Sequence, residues 1–269
     1  MINKKIVAFQ NDKQLVIDPK RRIILDKLLG ELNLSNINSF NKLFYGISGF
    51  PGAGKTTLAR ELKQLLRERG YNVILIEQDD FRIAKSERYM PNGLARCNNL
   101  PLINQWHNWM DMLNLMQLIK QSNGEQIFSI LVYDKVSKDR TKDKLYHVRG
   151  TGDIVLVEGA FVFNVGDDNF YGVPSNALFN LFDRSLFVFR ELSDEIDEKL
   201  VFRLIYEREK SQNPLLSDQK NFNRATKLFN DFIEDIKDGF SHWKKAGIYF
   251  DNKDLKNPTY QFQLRKKDS

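Results

Sequence analysis

The chain has 269 residues, 42% of them hydrophobic and 28% charged, with a formal net charge of +6. That length and balance suit one globular unit with a full core and exclude a disordered or fibrous chain. A single cysteine, Cys97, excludes a disulfide framework and a cysteine metal cage, and no run approaches the ~20 apolar residues of a membrane span.

Taken in chain order, Met1 to Phe9 has basic residues but an apolar run too short for a signal peptide, so a reducing cytoplasm is expected. Ile23, Ile24, Leu28 and Leu32 recur at helical spacing and read as a cap on the first strand. Leu43 to Ser48 is a buried-strand run, and Gly49-Phe50-Pro51-Gly52-Ala53-Gly54-Lys55-Thr56 follows it directly. A helix from Thr56 to Arg69 carries Leu58, Leu62, Leu65 and Leu66 inward and stops at Gly70. Val73 to Ile76 reads as a strand buried on both faces, ending in Gln78-Asp79-Asp80-Phe81. Trp106, Trp109, Met110, Leu113 and Met116 mark a helix whose tryptophans face the core.

Further strands are expected at Ile127 to Tyr133, Ile154 to Val157 and Leu186 to Phe189. Asp194 to Lys210 reads as a charged helix with Ile196, Leu200, Leu204 and Ile205 inward, and Phe222 to Trp243 as a long amphipathic one. Gly247 to Phe250 reads as an edge strand. Strands alternating with helices predict a parallel sheet covered on both faces, the three-layer α/β fold of P-loop NTPases with a helical C-terminal region. One domain is expected over 1–269, with a cap at 1–42, a nucleotide- and acceptor-binding core at 43–210, and a helical extension at 211–269.

The segment from Gly49 to Thr56 is a complete G-x-x-x-x-G-K-[ST] phosphate loop in a strand–loop–helix setting. Gly49, Gly52 and Gly54 let successive backbone N–H groups turn inward around phosphates, Pro51 and Ala53 complete the loop, and the helix start at Thr56 and Thr57 adds its positive end. Lys55 is placed for the outer phosphates and Thr56 for Mg²⁺, which makes ATP the expected cofactor. Asp79 falls at the C-terminal end of a parallel strand beside the loop, where such sheets bind ligands. There it could take a proton from an attacking hydroxyl, hold the metal, or simply open the next turn.

Two later blocks complete the pattern: Tyr133-Asp134-Lys135-Val136-Ser137-Lys138-Asp139-Arg140, and Gly152 to Gly159 ending in Glu158-Gly159. In their order and spacing, from about Lys42 to Lys210, the four blocks resemble the uridine kinase, phosphoribulokinase and pantothenate kinase group of P-loop kinases. The resemblance implies phosphoryl transfer from ATP with Mg²⁺ to a small-molecule hydroxyl. It implies that Asp79 acts on that hydroxyl and that Thr56, Asp79 and Glu158 form the metal environment. Tyr133 and Arg140 match acceptor-site positions, and Arg203, Arg208 and Lys210 fall where the group's arginine-rich lid closes over the phosphates. Arg203 reads equally as an exposed helix residue partnered by Glu207 at i+4.

The departures from the group are informative. Lys135 replaces an aromatic after Tyr-Asp, Lys138 replaces the acceptor-site histidine, and Leu200 stands at one expected lid arginine. Gln105-Trp106-His107-Asn108 replaces an Asp-His-Pro segment. Ammonium groups in place of an aromatic ledge suit an anion better than a pyrimidine, so a nucleotide, nucleotide sugar, sugar phosphate or carboxylate joins the nucleoside as a candidate acceptor. Two alternatives stand beside this reading: a zeta-toxin-like kinase acting on a nucleotide sugar, and a regulator that binds ATP without transferring phosphate. Basic residues are scattered, and Arg265-Lys266-Lys267 reads as solvated tail, so no nucleic-acid partner is expected. His107, His147 and His242 share no ligand spacing and read as structural or surface residues.

Overall fold

A computed structural model of the chain describes residues 15–32, 34, 42–88, 106–150, 152–163, 173, 176–190, 196–243, 246–254 and 258–262. The N-terminal run to Phe9, Cys97, Gln105, Asp194 and the basic tail at 265–267 lie outside the described residues.

In chain order the elements are α1 (Pro19–Glu31), β1 (Leu43–Gly49), α2 (Lys55–Glu68) and β2 (Asn72–Glu77). A 3-10 turn (Gln78–Phe81) and short α3 (Lys85–Arg88) precede α4 (Trp109–Gln121), β3 (Gln126–Asp134) and β4 (Asp139–Val148). Then come β5 (Asp153–Glu158), β6 (Arg184–Phe189), α5 (Glu198–Gln212), α6 (Asp218–Trp243), β7 (Ile248–Asp251) and β8 (Thr259–Phe262). The main sheet has the order β2-β5-β1-β6-β7-β8, parallel except for the antiparallel β8 at its edge. Every residue of β1 and of β5 is buried, which requires cover on both faces of the sheet. The chain therefore has the expected α/β architecture with a mostly parallel central sheet. The region after 210 supplies long α6 and also two strands, so Ile248–Asp251 lies inside the sheet and β8 forms its edge.

The segment expected as another central strand, Ile127 to Tyr133, pairs instead with β4 in a separate antiparallel hairpin. Its apolar run masks an alternation of exposed and half-buried positions, and β4 escapes notice because charge fills it. The turn between them is fixed by the Asp134 carboxylate, which accepts the N–H groups of Val136 (3.0 Å) and Ser137 (3.3 Å), a common turn device. Lys138 closes the turn with a positive φ of 61°.

Helix α1 starts at Pro19 with Asp18 as its N-cap, accepting from the Lys20 N–H at 2.9 Å, both standard start signals. Its inward stripe runs through Arg21, Leu25, Leu28 and Leu29. Ile23, expected inward, is 57% exposed. The stripe was misread by sequence because an arginine occupies it. Arg21 is held by a fork of bonds to Glu61 on α2 (2.7–2.9 Å) and by the Asn252 Oδ1 (2.8 Å). Asn252, just past β7, donates to the Ala53 carbonyl of the phosphate loop at 2.8 Å. One buried chain thus ties the first helix, the loop helix and the last parallel strand to the back of the loop.

Removing one member of a buried pair leaves an uncompensated charge. Arg21→Ala should therefore lower the unfolding free energy by about 3–5 kcal/mol in a urea titration. The double change Arg21→Met with Glu61→Leu should restore most of that loss. Equal stability of Arg21→Ala and wild type would contradict the brace.

Candidate active site

Backbone packing shapes the phosphate loop before any side chain does. Parallel register sets Gly49 of β1 beside Val188 of β6. A Cβ on Gly49, at φ 146°, would stand 2.0 Å from the Val188 carbonyl oxygen. One on Gly52, at φ 81°, would stand 2.5 Å from the Leu204 carbonyl oxygen of α5. Only glycine meets both the conformation and the approach. Beyond the loop, α2 begins at Lys55, whose buried ammonium donates to the Phe50 carbonyl at 2.9 Å. The Thr56 hydroxyl donates to Glu158 at 3.0 Å. Burial pulls the Lys55 ammonium below its ordinary pKa and pushes the Glu158 carboxyl above its own, while the attraction between the two opposes both shifts. Thr57, the next residue of α2, is exposed.

The second carboxylate comes from the end of β2. Parallel pairing places Glu77 beside Glu158, and the 3-10 turn then presents Asp79 and Asp80 in different directions. Asp79 is half-exposed and held by Arg82 at 2.7 Å and Lys135 at 3.5 Å. The protein around its inner side would raise its pKa by desolvation, but Arg82, Lys135, His107 and Arg208 together hold it well below the usual carboxylate range. Asp80 turns away, bonded to Lys144 and, at 3.3 Å, to the Tyr146 hydroxyl, and burial raises it above its ordinary value. Buried Gln78 accepts the Phe161 N–H at 3.0 Å and lies 3.5 Å from His107. Arg88 donates to the Tyr133 hydroxyl at 2.7 Å, and the guanidiniums of Arg82 and Arg88 both cover the Tyr133 ring.

A cleft of about 910 Å³ opens between α2, the end of β2 and the hairpin. Thr56, Asp79, Glu158, Tyr133 and Lys135 line it together, and Arg208 is close enough for its charge to act on both Lys55 and Asp79. Its size is within the usual range of small-molecule sites.

Four residues expected with them are elsewhere. Lys138 is exposed and does not line the cleft; the turn spends its backbone instead, as its carbonyl accepts the Lys85 N–H at 3.0 Å. Arg140 reaches back across the hairpin to the Leu131 carbonyl and pairs with Asp111 of α4 at 2.9 Å, beside a separate shallow groove. Lys210 is paired at the surface with Asp218 at 3.0 Å, across the junction of α5 and α6. Arg203 is exposed on α5, and Glu207 bonds Arg190 at 3.1 Å.

Sequence reasoning missed Arg82, Arg88 and Gln78, and it read His107 as a bystander although its charge bears on Asp79. The helix-like offset of Arg82 three residues after Asp79 was the available signal.

Strand, glycine loop and helix, with a carboxylate ending the next strand across, are the parts of a P-loop nucleotide-binding site. Comparison with known proteins agrees. The uridine kinase of Leuconostoc citreum strain KM20 is 27% identical over 58% of this chain and 70% of that one. The uridine kinase of Chlamydia pneumoniae is 28% identical over 61% of this chain, which spans 63% of that relative's length. Among solved structures, a possible uridine kinase from Bacillus stearothermophilus superposes with a TM-score of 0.52 at 19% identity, covering 86% of this chain and 98% of that one. The D-glycerate 3-kinase of Cryptococcus neoformans var. grubii gives 0.58 at 15% identity, with 84% and 94% covered. A family described as chromatin associated protein KTI12 matches residues 46–94, the segment holding the phosphate loop and Asp79. These matches support a uridine kinase-like P-loop kinase group for the chain, and the relatives named are small-molecule kinases.

Since the folded pKa of Asp79 lies below its unfolded value of about 3.9, its ionised form stabilises the fold above that pH and the contribution is lost as pH falls through the folded pKa. Arg82→Ala should move the Asp79 pKa upward, read by ¹³C carboxyl titration. An unmoved resonance would show that Arg82 does not set the charge of Asp79.

Proposed function

We propose that this chain transfers the terminal phosphoryl group of ATP, with Mg²⁺, to a hydroxyl of a small anionic acceptor bound beside Asp79 and Lys135. The observation that carries the reading is the position of Asp79. It shares one cleft with Thr56 and Glu158 on the phosphate-loop side and with Lys135 and Tyr133 on the hairpin side. Phosphoryl transfer needs alignment and charge stabilisation more than covalent chemistry, and these groups supply both.

The residues present fit the cofactors. The loop holds a phosphate-loop conformation that needs glycine at 49 and 52, where a Cβ would strike the Val188 and Leu204 carbonyl oxygens. The Thr56 hydroxyl and the Glu158 carboxylate meet at 3.0 Å in the cleft. That suits Mg²⁺, which keeps several waters and binds through one or two protein oxygens plus phosphates. Thr56 and Glu158 would hold it, with Asp79 facing its water shell, and it would screen the phosphate charge. Lys55 releases the Phe50 carbonyl to meet the outer phosphates, and Arg208 approaches them from α5.

Asp79, kept ionised by its cationic neighbours, is a poor proton store at neutral pH, where an effective base has a pKa near the working pH. It orients the acceptor hydroxyl by accepting its hydrogen bond. Lys135 sits at the acceptor side of Asp79 and supplies the charge an anionic acceptor needs. The fold also serves a glycerate kinase, whose named acceptor carries a carboxylate.

Lys55→Ala should reduce ADP release by about 10²–10³-fold, and Asp79→Asn by at least about 10²-fold with ATP binding retained. Full turnover in Asp79→Asn would overturn its role. Lys135→Ala should raise the acceptor KM severalfold, leave the KM for ATP nearly unchanged, and flatten the salt dependence of acceptor binding. Lys138→Ala should change neither constant. An acceptor KM that moves with Lys138 and ignores Lys135 would reverse the assignment.

A further inference from the structure

Of the three guanidiniums with a buried, unbonded nitrogen among the described residues, Arg82 pairs with Asp79, and the other two belong to or follow elements packed on the phosphate loop. Nε of Arg190 and Nε of Arg208 are both buried and unbonded among the described residues. A buried donor left unpaired is costly and is retained chiefly where a ligand or a catalytic demand accounts for it.

The location of Arg190 is set by the sheet. It is the first residue after β6, whose Val188 carbonyl abuts Gly49 and whose Phe189 carbonyl accepts the Asn252 N–H at 2.9 Å. Asn252 in turn holds the Ala53 carbonyl. Both residues preceding Arg190 are thus tied to the loop, and Arg190 leaves the sheet at its C-terminal edge, where parallel sheets take their ligands. Its NH1 meets Glu207 on α5 at 3.1 Å. Glu207 lies one turn beyond Leu204, which packs on Gly52, and precedes Arg208, whose charge reaches Lys55 and Asp79. Meanwhile Leu200, at the lid position where the kinase group has an arginine, is 7% exposed and packed in the core. Helix α5 cannot supply a cation from there.

We propose that Arg190 binds the terminal phosphates of the nucleotide, providing from the end of β6 the charge that Leu200 leaves out of the lid helix. The inference rests on the ATP-binding reading above. Glu207 is 52% exposed on its side chain, so its hold on Arg190 is weak. A polyphosphate offers more charge and two-pronged acceptor geometry, which suits a guanidinium better than a single exposed carboxylate does. Glu207 therefore acts as a rest for Arg190 in the empty protein, and the phosphates take its place.

The test is calorimetric titration of Mg-ATP and of AMP into wild type, Lys55→Ala, Arg190→Gln, Arg190→Lys and Glu207→Gln, with a thermal melt for each. Arg190→Gln should weaken ATP binding by about tenfold or more while changing AMP binding less than about twofold. Arg190→Lys should recover part of the loss. Glu207→Gln should bind ATP as tightly as wild type or more tightly, because only the competing carboxylate has gone. If Arg190 and Glu207 merely strap β6 to α5, both glutamine variants will weaken ATP equally and lower the melting temperature together, and the proposal fails. It also fails if Arg190→Gln binds ATP normally while Lys55→Ala does not, which leaves the phosphate loop intact as an ATP site. Wild type that binds no ATP, or Lys55→Ala that binds like wild type, overturns both readings.

Discussion

The site depends on the close approach of two carbonyl oxygens to two glycines. Val188 of β6 and Leu204 of α5 press on Gly49 and Gly52 at distances that admit no side chain. This contact fixes the loop between the sheet and α5. It also fixes everything else relative to the loop. The β1–β5–β2 pairing carries Glu158 and Asp79 to the same rim, and α5 carries Arg208 there. Ordering the loop in advance spares the entropy that a flexible loop would lose on binding. The Arg21–Glu61–Asn252 chain reinforces the same geometry from behind, at the Ala53 carbonyl.

Charge at the rim is arranged in two tiers. Near the loop, Lys55 and Glu158 are buried together and each is pushed toward its neutral form by burial. A doubly charged ion and a polyphosphate entering there would restore the charged forms, since each brings the counter-charge that burial withheld. At the cleft, Asp79 is overcompensated by cations and stays ionised.

Much of the fold was legible because its signals are local. A continuous apolar run marks each central strand, and the loop motif sits where strand and helix periodicities meet. Boundaries at α4, α5 and α6 shift by a few residues, as expected of frayed ends. The hairpin was not legible, because β4 is written in charged residues and its alternation serves a half-exposed pair of strands. The α1 stripe was misjudged for a related reason: Arg21 is buried, and only the distant Glu61 and Asn252 make that tolerable. In the site, Lys55, Thr56, Asp79 and Glu158 could be named because each ends or begins an element. Arg82 and Arg88 could not, since their contacts come from the bend of the chain after β2. Lys138 and Arg140 share a short motif with Lys135, yet a four-residue turn sends their side chains different ways.

Similarity to uridine kinases supports phosphoryl transfer, and Lys135 in the place of an aromatic is the ground on which we propose an anionic acceptor. The most direct measurement is ³¹P NMR of ATP and Mg²⁺ incubated with matched acceptors, neutral and anionic: a nucleoside and its nucleotide, a sugar and its phosphate, glycerol and glycerate. The proposed function predicts a new phosphomonoester on an anionic member, absent with Asp79→Asn and weakened by Lys135→Ala. A monoester formed as readily on uridine or cytidine, indifferent to Lys135, would contradict the anionic acceptor. ATP that binds and yields no monoester on any of them would contradict the proposed transfer to these acceptor classes.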